Sequence, residues 1–262
     1  MAEMDYSPST GSAVRVMAVF KRFRKVYFKY VLANILPPVL EPLLFLLGLG
    51  VGLSYYMGMV DGVNYAAFLA PGMMAISPMF SASYECCYGT YMRMEYERIY
   101  DAILASPVSY FEMMSGELLW VSAKGAVFSL IVLLMVAPFG LILSWWVVLV
   151  PVVGFFAAVI YALMAMVVTS KVREITNFNF FLTGVLAPQF YFSGAVFPLE
   201  QVPVAVRAFC YLFPVTHVVA IMRALALGSF HAGLLLNAAV MAAWIALLWP
   251  LAYTMLKRRI VV

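Results

Sequence analysis

Charged residues make up only 11% of the 262, so an ionisable side chain inside an apolar run stands out. Four do so: Glu41, set between Pro38 and Pro42, then Glu85, Glu117 and Lys124. The chemistry open to them is ion pairing, because a charge in hydrocarbon is costly unless it is paired. Lys124 is expected to pair with Glu41, Glu85 or Glu117, and the step from Glu117 to Lys124 puts both on one helical face. The alternative is that Lys124 stretches its stem to the membrane interface. Hydrolytic, redox and metal chemistry lack their parts. His217 and His231 are the only histidines, and no Ser/His/Asp group accompanies them. Cys86 and Cys87 are adjacent and Cys210 is remote, which gives neither a disulfide framework nor metal-ligand spacing. No Gly-x-x-x-x-Gly-Lys-Ser/Thr loop is present to cradle phosphates. The chain is expected to be no enzyme and to hold no metal or nucleotide of its own.

A second concentration of charge lies between apolar runs. Arg93, Glu95, Glu97, Arg98 and Asp101 predict a short charged helix with Ile99, Ile103 and Leu104 as its apolar contacts. Ser106-Pro107 stops it, since the residue before proline is pushed out of the helical region. Ser109 then reads as an N-cap and Glu112 as the other half of a capping box. Two readings of this segment stand at this level: a solvated loop helix, or a docking element.

Two further groups carry polar chemistry. Residues Phe178–Phe197 interleave Phe181, Gln189, Tyr191 and Phe192, an aromatic face with a few hydrogen-bonding groups. Such a face suits a glycolipid, and it equally suits helix packing. The stretch Pro198–Gly233 is too apolar for an exposed loop and too long to be idle. Pro203 and Pro214 divide it into two short helices, with His217 and Arg223 either facing inward or serving as caps and head-group contacts.

These residues need elements to position them, and composition names the class. At 66% hydrophobic and 11% charged the chain departs from soluble domains, which are about half apolar and a quarter charged. A crossing helix needs about 20 mostly apolar residues. Six runs qualify: Val31–Tyr56, Tyr65–Tyr84, Leu118–Leu143, Trp146–Thr169, Phe178–Phe197 and Leu234–Leu256. The expectation is an all-α polytopic membrane protein, with one transmembrane domain over 31–262 preceded by a cytoplasmic segment over 1–30. No cleavable signal peptide is read at the start.

Lys and Arg stay on the cytoplasmic side during insertion. With both termini inside, fourteen of the sixteen basic residues fall there, all except Arg207 and Arg223. The net charge of +4 is therefore a topology signal, and no nucleic-acid partner is expected. From Val14 to Tyr30, Val16, Val19, Phe20, Phe23, Val26, Tyr27 and Tyr30 share one arc and six cations occupy the rest. That pattern predicts an amphipathic helix lying among the membrane lipids at the interface.

Four stretches carry a resemblance. They are Leu47-Gly-Leu-Gly-Val-Gly-Leu, Tyr65-Ala-Ala-Phe-Leu-Ala-Pro-Gly-Met, Glu97-Arg-Ile-Tyr-Asp-Ala-Ile-Leu-Ala-Ser-Pro-Val-Ser with Gly116-Glu-Leu-Leu-Trp-Val-Ser-Ala-Lys, and Phe192-Ser-Gly-Ala-Val-Phe-Pro-Leu-Glu-Gln-Val-Pro running on to Phe213-Pro-Val-Thr-His and Arg223-Ala-Leu. With these the chain resembles the membrane subunit of an ABC type-2 exporter. Within that superfamily it is similar to the nodulation-factor exporter permeases of the NodJ type. The last stretch is the most discriminating.

The resemblance implies that Arg93, Glu95, Glu97, Arg98, Tyr100 and Asp101 belong to a coupling helix docked on a separate ATPase, which would bind ATP and Mg. It implies two ATPase subunits and a second copy of this chain, in a bacterial inner membrane. It also implies re-entrant helices forming an external gate at Pro198, Pro214, His217 and Arg223. The cargo implied is a lipo-oligosaccharide, with another glycolipid or a hydrophobic drug as alternatives. An ion-coupled carrier acting alone would show matching halves, and no internal repeat is found.

Overall fold

Backbone amides in apolar runs have no water to bond, so each run closes its own hydrogen bonds as helix. The structure is a computed structural model, and it describes residues 11–29, 40, 42–60 and 62–260. Glu41 and residues 30–39, with Pro37 and Pro38, lie outside the described residues, so the pairing considered for Glu41 and the start of the first apolar run do too.

The fold is all-α and polytopic. Its helices are α1 (Ser12–Lys29), α2 (Pro42–Met57), α3 (Tyr65–Tyr96), α4 (Ile99–Leu104), α5 (Tyr110–Val136), α6 (Val150–Thr169), α7 (178–191), α8 (Val204–Cys210), α9 (Pro214–Leu227) and α10 (Gly233–Ile260). One two-stranded hairpin, Met59–Val60 against Val63–Asn64, joins α2 to α3. Among the described residues four helices are long and apolar enough to cross a bilayer: α3, α5 with its 3-10 extension, α6 with the turn before it, and α10. A fifth is reached if α8 and α9, bent by 91°, count as one.

Boundaries moved for physical reasons. The second run does not stop at Tyr84: two π-helical turns, Glu85–Gly89 and Met92–Tyr96, carry α3 onward through Arg93 and Glu95. The third begins at Tyr110, because Ser109 accepts from the Glu112 backbone N–H while Glu112 accepts from that of Ser109. Helix over the fifth run ends at Tyr191, and turns occupy 192–197. The expected charged helix Arg93–Asp101 is two pieces. Arg98 sits at φ 52°, in the left-handed region, and ends α3 against α4.

The core lies between α3, α5 and α6. Met74, Val121, Ile160 and Tyr161 are fully buried there. Close approach of α5 and α6 depends on Gly125, where an added Cβ would collide with the Ala158 Cβ. Part of the apolar arc of α1 packs on α5, while Val26 of the same arc stays exposed. Val19 and Phe23 are buried, Phe20 and Tyr27 meet the Trp120 ring edge-on at 5.8 and 5.3 Å, and a Cβ on Gly116 would lie 2.7 Å from that of Val19. The Lys21, Arg22, Arg24, Lys25 and Lys29 side chains point outward.

Candidate functional site

At one end of the bundle α3 and α5 run antiparallel, which sets Glu85 opposite Lys124 and Arg93 opposite Glu117. Lys124 Nζ lies 2.6 Å from Glu85 Oε2, and the other oxygen of Glu85 takes Arg93 at 2.9 Å. Arg93 also reaches Glu117 Oε1 at 2.6 Å. Two positive and two negative charges thus cancel inside one cluster, which is how buried ions are made affordable. Glu117 pairs with Arg93 and not with Lys124, although it shares a helical face with the lysine.

Hydroxyls complete the shell around Glu117. Thr90 donates to Oε1 at 2.7 Å, and Tyr100, from α4, donates to Oε2 at 2.5 Å. Burial, and next the Glu117 charge, push the Tyr100 phenol well above its ordinary range, so it stays a donor at neutral pH. From α1, the Phe23 ring lies 4.8 Å from the Arg93 guanidinium carbon and the Tyr27 ring 5.4 Å from Lys124 Nζ. The Tyr27 phenol is pushed up to about 12 by burial and by the Glu85 charge. α1 is fastened nearby: Arg15 donates to both oxygens of buried Glu112, at 2.7 to 2.9 Å.

The expected coupling residues therefore divide. Arg93 and Tyr100 turn inward to the cluster. Glu95, Glu97, Arg98 and Asp101 are exposed. Glu95 meets Arg259 of α10 at 2.7 Å, and Arg98 meets Asp101 at 3.5 Å. Sequence reading missed Thr90, Phe23, Tyr27 and the Arg15–Glu112 pair. The signal for the cluster was present in the spacing, since residues 85 and 93 on one helix match 124 and 117 on an antiparallel neighbour.

At the opposite end, contacts between described residues run to a ring, to backbone carbonyls and to a side-chain amide. Arg223 lies 3.8 Å over the Phe68 ring and donates to the Gly194 carbonyl at 2.8 Å and to that of Phe68 at 3.4 Å. His217 is buried, with Nδ1 2.8 Å from Asn237 Oδ1 and Nε2 3.0 Å from the Tyr211 carbonyl. Pro214 opens α9 at the bend, and Pro198 opens the short turn Leu199–Gln201. Arg207, read from the sequence only as one of two basic residues on the external side, braces that turn by donating to the carbonyls of Leu199 and Glu200.

Between α2, α3 and α7 lies a cavity of about 310 Å³, with Phe45, Ser77, Phe80, Tyr84, Thr183 and Tyr191 on its wall. Of the four residues expected to line a pathway, only Tyr191 is there. Gln189 is buried, accepting from the Tyr161 hydroxyl at 2.6 Å, and Phe181 is packed into the core. Phe192 stands half-exposed against Phe209.

A family model described as ABC-2 type transporter matches residues 14–227. The chain belongs to the ABC-2 type transporter family. That ABC-2 match takes in α1, the charged cluster and the bent pair, and ends with the last residue of α9. The chain is 36% identical to "Nodulation protein J" of Rhizobium meliloti (strain 1021) over 85% of its own length and 86% of the relative's. It is 32% identical to the protein of the same name from Rhizobium leguminosarum bv. viciae, over 93% and 94%. Similarity at 21% identity extends to "Inner membrane transport permease YadH" of Escherichia coli (strain K12), over 90% and 91%. As an ABC-2 membrane protein the chain is a transporter component, and its architecture matches that role.

Proposed function

We propose that this chain is the permease subunit of an ABC exporter that moves an amphipathic substrate, of lipo-oligosaccharide or glycolipid type, out of the cytoplasm or the inner leaflet. ATP, with Mg, is hydrolysed on a separate ATPase chain, and two copies of each subunit make the complex. Two-fold pairing is the common assembly for such half-pathways. The membrane is the bacterial inner membrane, in keeping with the printed name of the Escherichia coli relative. Six crossings, completed by Val31–Tyr56 and Phe178–Phe197, leave both termini in the cytoplasm. The positive-inside distribution supports that orientation.

The observation that carries the reading is α4. This short helix sits at the charged end, and it and the joint before it present Asp101, Glu97 and Arg98 outward. Exposed rim charges of this kind set register and specificity with a partner. The aromatic wall of the cavity supports an amphipathic cargo, with Tyr84, Ser77 and Thr183 supplying hydroxyls beside apolar surface. Its apolar character also supports a second reading, efflux of hydrophobic compounds.

The test is co-expression with a candidate ABC ATPase and reconstitution in lipid nanodiscs. The two chains should co-purify, and Glu97→Ala with Asp101→Ala should remove the stimulation of ATP hydrolysis by the permease. If no ATPase associates and transport proceeds without ATP, the reading fails and an ion-coupled carrier takes its place.

A further inference from the structure

The α4 helix lies between two breaks in the chain and reaches the charged cluster through the Tyr100 hydroxyl. Its N-terminal side leaves α3 through the left-handed Arg98, a conformation that costs a non-glycine residue energy and marks a joint. Its C-terminal side ends at Ser106-Pro107. Ile103 is buried beneath it. Its buried side-chain hydrogen bond into the α3–α5 pair is Tyr100 Oη to Glu117 Oε2, at 2.5 Å.

Glu117 is not a passive anchor. Its other oxygen takes both Thr90 and Arg93, Arg93 is shared with Glu85, and Glu85 with Lys124. Every member of the chain sits on α3 or α5, the two helices that meet there. Moving Tyr100 therefore alters how Glu117 divides its bonding between α4 and Arg93, and hence how α3 and α5 engage. A charge-assisted hydrogen bond inside a buried network is well suited to this, being strong and directional.

We infer that Tyr100 is the positioning residue that passes displacement of α4 into the α3–α5 pair, acting through Glu117, while the exposed charges Glu97, Arg98 and Asp101 serve docking alone. This rests on the permease reading above. It makes Tyr100 and Glu97 separable in function: one transmits and the other binds.

The experiment uses the complex with the ATPase in nanodiscs, carrying Val204→Cys on exposed α8, labelled with bimane; Cys86, Cys87 and Cys210 are buried. Tyr100→Phe removes one oxygen and no packing volume. It should leave co-purification and ATP hydrolysis in place, and abolish the ATP-dependent change in bimane fluorescence. Thr90→Val, which removes the other hydroxyl from Glu117 but leaves α4 attached, should retain that change. The inference is overturned if Tyr100→Phe keeps the change, if it loses the ATPase subunit, or if Thr90→Val loses the change equally. If the unsubstituted complex shows no response to ATP, or no ATPase binds, the permease reading itself falls and the inference goes with it.

Discussion

The two ends of the bundle hold their polar groups in opposite ways. At the charged end, Glu85, Arg93, Glu117 and Lys124 satisfy one another through side chains alone. At the other end, Arg223 and Arg207 donate to backbone carbonyls, and His217 joins a side-chain amide and a carbonyl. Side-chain partners can exchange as helices slide, and Arg93 already divides itself between Glu85 and Glu117. Carbonyl partners are fixed to the fold of one segment. The first arrangement suits a place that must shift, and the second a place where turns after α7 and around α8 need to keep their shape.

Breaking the charged end should have the largest effect. Lys124→Met strands Glu85 beside a single cation, and removing one partner of a buried pair costs about 3–5 kcal/mol. Thermal unfolding in detergent should show a steep loss, with partial recovery in the double variant Lys124→Met plus Glu85→Gln. An unfolding temperature equal to that of the native chain would show that the cluster is not closed. Next in size, Arg223→Leu should cost about 1.5–3 kcal/mol, the range for hydrogen bonds to charged groups. Arg223→Lys should fail to restore it, since an ammonium lacks the planar fork and stacking surface.

Smaller effects sharpen the picture. Gly116→Ala forces a Cβ to within 2.8 Å of the Val16 carbonyl, and overpacking of this sort costs about 1–3 kcal/mol. It should lift α1 and shift the fluorescence of Trp120, which is read directly by emission spectra. Smallest of all, Glu95→Gln removes an exposed partner of Arg259. Its cost should stay below about 1 kcal/mol and shrink further in salt. A larger loss would mean that the end of α10 is part of the cluster's support.

Much of this was legible in residue types. Apolar runs located α3, α5, α6 and α10, and Ser109 with Glu112 marked the start of α5 through simple capping chemistry. The paired prolines placed the break between α8 and α9. What escaped was set by tertiary contact. Periodicity cannot tell whether the apolar arc of α1 meets lipid or another helix, and here the small Gly116 admits it to α5. Nor can charge pattern say which way Arg93 and Tyr100 turn, because that depends on the antiparallel offset of α3 and α5 and on the two π turns. The aromatic content of the fifth run pointed to a binding face, but Gln189 is taken by Tyr161 and only Tyr191 reaches the cavity.

The comparison of the two ends is tested most directly by photo-crosslinking in the assembled complex. A photoreactive amino acid at Asp101, on α4, is set against one at Val204, on α8, both exposed. The proposed arrangement gives a crosslink to the ATPase from position 101 and none from position 204. A crosslink from position 204, or none from either in a complex that hydrolyses ATP, would contradict it.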